Sequence, residues 1–155
     1  MTKKVNPIPA GHRSLTPHLV VKGAAKAIEF YKKAFGAVEL MRMPNADGTI
    51  MHAQIRIGDS IMMIADHCPK MGPLAEAGSQ GQFLFHFTPE VDAVVKAAHA
   101  AGAKVEMPVQ DMFWGDRAGS LMDPFGQRWW VATHIEDLTP EQMDERSKKA
   151  FDNAK

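Results

Sequence analysis

A chain of 155 residues with 45% hydrophobic residues is long enough to bury about two-thirds of its unfolded surface in one domain, which excludes a disordered chain. Lysine plus arginine and aspartate plus glutamate both number 18, so no basic field exists to hold a phosphate backbone, and nucleic acid is not an expected partner. No apolar run approaches the roughly 20 residues needed to cross a bilayer, and the lone Cys68 excludes an internal disulfide and any cysteine-rich zinc site. A cytoplasmic protein without membrane association is expected, because the first residues, Met-Thr-Lys-Lys-Val-Asn-Pro, also lack the apolar stretch of a signal peptide.

In chain order, residues 1–13 carry Lys3, Lys4, Pro7, Pro9 and Gly11 without apolar periodicity and read as a flexible leader. His18 to Val21 is a short β-branched run, and Gly23 separates it from Ala24, Ile28, Tyr31 and Phe35 at helical spacing. Gly36 supplies the helix stop. Val38 to Met43 and Thr49 to Ile57 predict two strands around the turn-forming cluster 44–48, and Gly58-Asp59 reverses the chain into a strand from Ser60 to Ala65. The order is strand, helix and three strands.

That order recurs after a glycine- and proline-rich linker, 67–81. Gln82 to Phe87 predicts a strand, Thr88-Pro89 opens a helix with Val91, Val94, Val95 and Ala98 on one face, and Gly102 ends it. Strands are expected at Lys104 to Met107, Ser120 to Met122 and Arg128 to Thr133, the last entered through the turn Asp123-Pro124-Phe125-Gly126. The expected fold is therefore α+β: one domain, 14–137, of two βαβββ repeats at about 15–66 and 82–134. Thr139-Pro140-Glu141-Gln142 has the pattern of a capped helix start, so residues 138–155 are expected to form a C-terminal helix and tail.

Three strings, HLVVKGAAKAIEFYKKAFGAVEL (18–40), IMHAQIRIGDSIMMIAD (50–66) and FWGDRAGSLMDPFGQRWWVATH (113–134), resemble the vicinal oxygen chelate superfamily of glyoxalases, bleomycin-resistance proteins and dioxygenases, and in particular its PhnB-like subgroup. The resemblance covers roughly residues 15–137. It implies that each unit curls its strands into half of an open barrel around a concave site, and that the protein is a homodimer. Metal-binding members such as glyoxalase I take one ligand from the first and last strand of each unit, which by the resemblance places the ligand positions at Thr16, Met63, Phe83 and Trp130. A divalent ion needs several convergent nitrogen or oxygen donors, and these residues are not such a set, so no metal cofactor is expected. A displaced site using His18 and His134 with a carboxylate is the alternative.

His52 is the leading candidate for chemistry. Met51, Ala53, Ile55 and Ile57 share one face of their strand, and His52, Gln54 and Arg56 share the other, which is either a water-facing surface or a cavity wall where His52 binds a ligand or exchanges protons. The resemblance implies the cavity wall. Trp114 offers a flat surface for stacking, and Asp116 with Arg117 offers a charge pair in a glycine-flanked turn; the structural alternative is a tryptophan packed on a hairpin with the pair fixing the turn. Met63 and Trp130 add soft lining. The expected function is metal-free binding of an aromatic or apolar small molecule, using His52, Gln54, Met63, Trp114, Asp116, Arg117 and Trp130. The alternatives are an enzyme of the superfamily with a displaced or weakly held divalent metal, and a dimeric interaction module without a small-molecule site.

Overall fold

The structure, a computed structural model, describes residues 6–68, 74 and 83–152, and the side chains as far as residue 150. Most of the expected linker, the first five residues and the last three lie outside the described residues. The chain divides into two compact units, Met1–Ala75 and Glu76–Lys155.

The first unit holds β1 (His18–Val21), α1 (Ala24–Phe35), β2 (Val38–Pro44), β3 (Ile50–Ile57) and β4 (Ser60–Asp66). Its four strands form one sheet in the order β1-β4-β3-β2, with β1 parallel to β4 and the other pairs antiparallel. Helix α1 ends as the sequence predicts, with Gly36 in the left-handed region at φ 63°, a conformation that costs glycine little. The helix buries Ala24, Ala27, Ile28, Tyr31, Ala34 and Phe35, and the sheet turns Val21, Ala53, Ile55, Ile57, Met62 and Ile64 to the same core. Alternation along β3 then leaves His52, Gln54 and Arg56 on the face that the helix does not cover.

The second unit repeats the plan with β5 (Leu84–Phe87), α2 (Val91–Ala100), β6 (Lys104–Asp111), β7 (Asp116–Met122) and β8 (Arg128–His134), followed by α3 (Pro140–Asp152). Its sheet runs β5-β8-β7-β6, again with first and last strands parallel. Val91, Val95 and Ala98 of α2 pack on the sheet face that carries Leu121, Trp129 and Val131. The fold is α+β with two four-stranded mixed sheets of the glyoxalase/bleomycin-resistance type. Parallel partners coincide in the two units: His18 faces Met63 in the first and Phe85 faces Trp130 in the second, each 67 residues further along.

The repeat extends to how each helix is started. In the first unit Asp66 Oδ1 accepts the backbone N–H groups of Gly23 and Ala24 at 2.7 and 2.9 Å, and Oδ2 accepts that of Ile50 at 2.7 Å. At the equivalent place in the second unit, Thr133 Oγ1 accepts the Val91 N–H at 3.1 Å and donates to the Thr88 carbonyl at 2.7 Å. Either way the last strand satisfies donors that the helix's own ladder leaves open. The expected capping box of α3 is formed reciprocally: the Thr139 N–H donates to Gln142 Oε1 at 2.9 Å, and the Gln142 N–H donates to Thr139 Oγ1 at 3.3 Å.

Two strands are longer than the sequence predicts. β6 continues through Pro108 to Asp111, and β7 begins at Asp116 rather than Ser120. Pro108, which has no N–H for the ladder, falls within a register irregularity between Met107 and Gln110, where the pairing does not call on it. The turn that the sequence suggests over 111–119 is therefore confined to residues 112–115. No described helix is long and apolar enough to cross a membrane.

Candidate functional site

Each unit presents a sheet face without a helix, and the candidate residues distribute over the two. In the first unit Met41, Gln54, Met63 and His18 form one cross-strand row, and Met43 pairs with His52 in the next. His18 and His52 meet edge to face with ring centroids 6.0 Å apart, and His52 Nε2 lies 3.4 Å from the side-chain nitrogen of Gln54. Burial, and secondarily the charge of His52, hold the His18 imidazole below its ordinary pKa. A Cβ at Gly11 would come within 3.0 Å of the Ile61 side chain, so part of the leader runs over one end of this face. His12 is half-buried there, and its Nε2 is shielded without a hydrogen-bond partner.

The second unit's face is aromatic. Phe85 stacks on Trp130 with centroids 5.9 Å apart and planes 15° apart; Phe83 and Trp114 approach the same indole at 6.1 and 6.2 Å, and Phe87 adjoins Phe85 at 4.9 Å. Phe83, just before β5, and Phe85 and Phe87 on it remain 49%, 41% and 60% exposed, an unusual amount of ring surface for three alternate residues. Next to the rings in strand register, Ala118, Ser120 and Ala132 are small and buried. Only Trp114 and Trp130 of this group were marked by the sequence as binding residues; the Phe-x-Phe-x-Phe alternation at 83, 85 and 87 was the signal for the others.

Asp116 and Arg117 do not act as a pair. They are neighbours on β7, and side chains of consecutive strand residues leave on opposite faces. Asp116, 6% exposed, accepts the indole N–H of Trp114 at 2.9 Å through Oδ2 and meets His134 Nδ1 at 2.8 Å through Oδ1. Arg117 lies on the helix-covered side, held by Asp92 at 2.8 Å and Asp111 at 2.9 Å. His134 Nε2 meets Asp137 at 3.0 Å, so both of its ring nitrogens are engaged by carboxylates. The second alternation partner on β5, His86, points to the helix side, where burial lowers its pKa.

Asp116 first and Asp137 second hold His134 above its ordinary pKa. Its contribution to stability is complete below the unfolded value of about 6.5 and is lost as pH rises through the raised folded value. His18 has the opposite sign: the unfolded chain binds its proton more readily, so acidification below about 6.5 disfavours the fold. On lowering the pH, His134 is expected to take its proton before His18, read from the ring-nitrogen shifts in a two-dimensional NMR titration; the reverse order would contradict this arrangement.

The strand register puts His18, two residues beyond Thr16, opposite Met63, and Phe85, two beyond Phe83, opposite Trp130. Within the first unit an imidazole beside a thioether, and within the second two aromatic rings, do not fit a hard divalent ion. Among the described residues, no three His, Cys, Asp or Glu side chains are grouped to hold a metal.

The chain belongs to the Glyoxalase/Bleomycin resistance protein/Dioxygenase superfamily, whose family profile matches residues 12–131. It is 40% identical over 147 residues to an uncharacterized protein of Mycobacterium tuberculosis, covering 92% of this chain and 84% of that one. Among solved structures, a PhnB protein from Bacillus cereus, described as a putative 3-demethylubiquinone-9 3-methyltransferase, shares the fold with a TM-score of 0.64 at 20% identity, over 78% of this chain and 99% of its own. The fosfomycin resistance protein FosX of Listeria monocytogenes, solved with Mn(II) and a dihydroxypropylphosphonic acid, matches with a TM-score of 0.60 at 18% identity, over 85% and 94% of the two chains. At these identities the two structures bear on the fold alone.

Proposed function

We propose that this protein binds a small aromatic or apolar molecule on the helix-free face of its second βαβββ unit, without a resident divalent metal. The observation that carries the reading is the exposed aromatic row of Phe83, Phe85 and Phe87 gathered about Trp130 and Trp114. Offset ring stacking is worth about 0.5–1.5 kcal/mol beyond the apolar area it covers, and the Phe83, Phe85 and Phe87 rings remain open to it. The soft, aromatic residues at the family's ligand positions favour binding over metal-assisted chemistry. A cytoplasmic homodimer is part of the same proposal, and sedimentation equilibrium tests its assembly.

The test uses N-phenyl-1-naphthylamine, an aromatic probe whose fluorescence rises in apolar surroundings. Trp130→Ala is expected to weaken its binding by roughly 5- to 30-fold, equivalent to about 1–2 kcal/mol, while Trp130→Phe retains most of the affinity. Equal affinity in wild type and Trp130→Ala would remove this face from the function.

A second reading, a superfamily enzyme, is favoured by one observation: the His18–His52 edge-to-face contact beside Gln54 on the first unit's open face. It predicts that His52→Ala abolishes turnover of an oxygenated substrate while folding is unchanged. Full turnover in that variant would dismiss it.

A further inference from the structure

Taking the aromatic face of the second unit as the ligand surface, we propose that His134 and Asp116 are positioning residues that hold the Trp114 indole on that surface, so that protonation of His134 regulates ligand binding. The geometry starts from a buried carboxylate. Asp116 divides its two oxygens between the Trp114 N–H and the His134 ring, at 2.9 and 2.8 Å. A carboxylate this shielded needs a counter-charge, and Arg117 cannot supply one because its guanidinium is spent on Asp92 and Asp111 across the sheet.

Protonated His134 satisfies every group at once: Nδ1 donates to Asp116 and Nε2 donates to Asp137. A neutral ring has one nitrogen that only accepts, and that nitrogen then faces a carboxylate oxygen. Loss of the proton therefore removes the counter-charge of Asp116 in either tautomer and leaves one of the two carboxylates facing a bare ring nitrogen. The charged groups facing His134 are Asp116 from β7 and Asp137 from the segment after β8; Glu136, beside it, is held in a two-pronged pair by Arg146 of α3. The backbone of the turn is fixed separately, since the N–H groups of Ile135 and Glu136 both donate to the Gly115 carbonyl at 3.0 Å. What His134 controls is thus the indole's orientation rather than the course of the turn.

The test follows the Trp114 indole N–H by NMR in the full chain, assigned with Trp114→Phe, from about pH 5.5 to 9.5, alongside titrations of N-phenyl-1-naphthylamine, which stays uncharged over that range. The expected result is a step in the indole signal, with hydrogen exchange rising at least about fivefold beyond the increase that hydroxide catalysis alone produces, at the pH where His134 deprotonates, and a loss of probe affinity of similar size over the same interval. His134→Gln keeps an uncharged donor and is expected to abolish both steps; Asp116→Asn keeps an acceptor for the indole and is expected to return His134 toward its ordinary titration. An indole signal indifferent to His134, or steps that persist in His134→Gln, overturns the proposal. Absence of probe binding at every pH would sink the ligand-surface reading instead, and the indole signal would still decide the positioning role.

Discussion

Asp66→Ala is expected to cost roughly 2–4 kcal/mol of stability, measured as a lower urea midpoint at unchanged slope. One carboxylate accepts three backbone N–H groups, two at the start of α1 and one at the start of β3, all at 2.7–2.9 Å. Alanine leaves these donors facing a methyl group in a partly buried place, so each loses more than the bond's net worth. Asp66→Asn, with one carbonyl oxygen, is expected to recover the pair at α1 or the bond to Ile50, but not both. The effect reaches the candidate site, because His52 lies two residues beyond Ile50 on β3. A loss below about 1 kcal/mol would mean that other acceptors replace the carboxylate.

Gly115→Ala is the second large expectation, with a loss of roughly 2–4 kcal/mol and a displaced Trp114. Gly115 has φ 93°, outside the range that a side chain ordinarily permits, and an added Cβ would collide with the Glu136 carbonyl oxygen while also reaching the Leu138 side chain at 3.5 Å. The turn cannot retreat without giving up the hydrogen bonds from Ile135 and Glu136 to the Gly115 carbonyl. Both effects should therefore appear together: a lower melting temperature and a shifted Trp114 indole signal. A variant as stable as wild type would show that the 112–115 turn is not pressed against the 135–138 segment.

The doubled βαβββ plan was legible because it rests on local signals: apolar spacing in two helices, glycines ending them, and turn-forming clusters between strands. The start of β7 was not legible. Asp116-Arg117-Ala118-Gly119 has weak strand propensity, so its pairing with β8 comes from tertiary context rather than from its own residues. That single misreading explains why Asp116 and Arg117 were expected as a pair, since recognising a strand there would have sent them to opposite faces at once. On β3 the strand was recognised, and alternation placed His52 and Gln54 together on the face that α1 leaves open.

Contacts between distant positions were legible only in part. Nothing near Asp66 in sequence announces Gly23 or Ile50, and Asp116 is 18 residues from the His134 that it binds. Such roles depend on strand register, which a one-residue slip would undo. The Phe83, Phe85 and Phe87 alternation, by contrast, was visible throughout, but exposed aromatic rings on an edge strand acquire meaning only once the opposite face is seen to carry the helix.

Reception of a ligand by the helix-free aromatic face of the second unit is open to direct test. Mapping the wild-type protein by NMR during titration with N-phenyl-1-naphthylamine, with metal chelator present throughout, tests it most directly. Saturable shifts of the Trp130 and Trp114 indoles and of the Phe85 and Phe87 rings, unchanged by the chelator, are the expected result. Shifts confined to His18, His52 and Met63, or binding that vanishes when metal is removed, would contradict it.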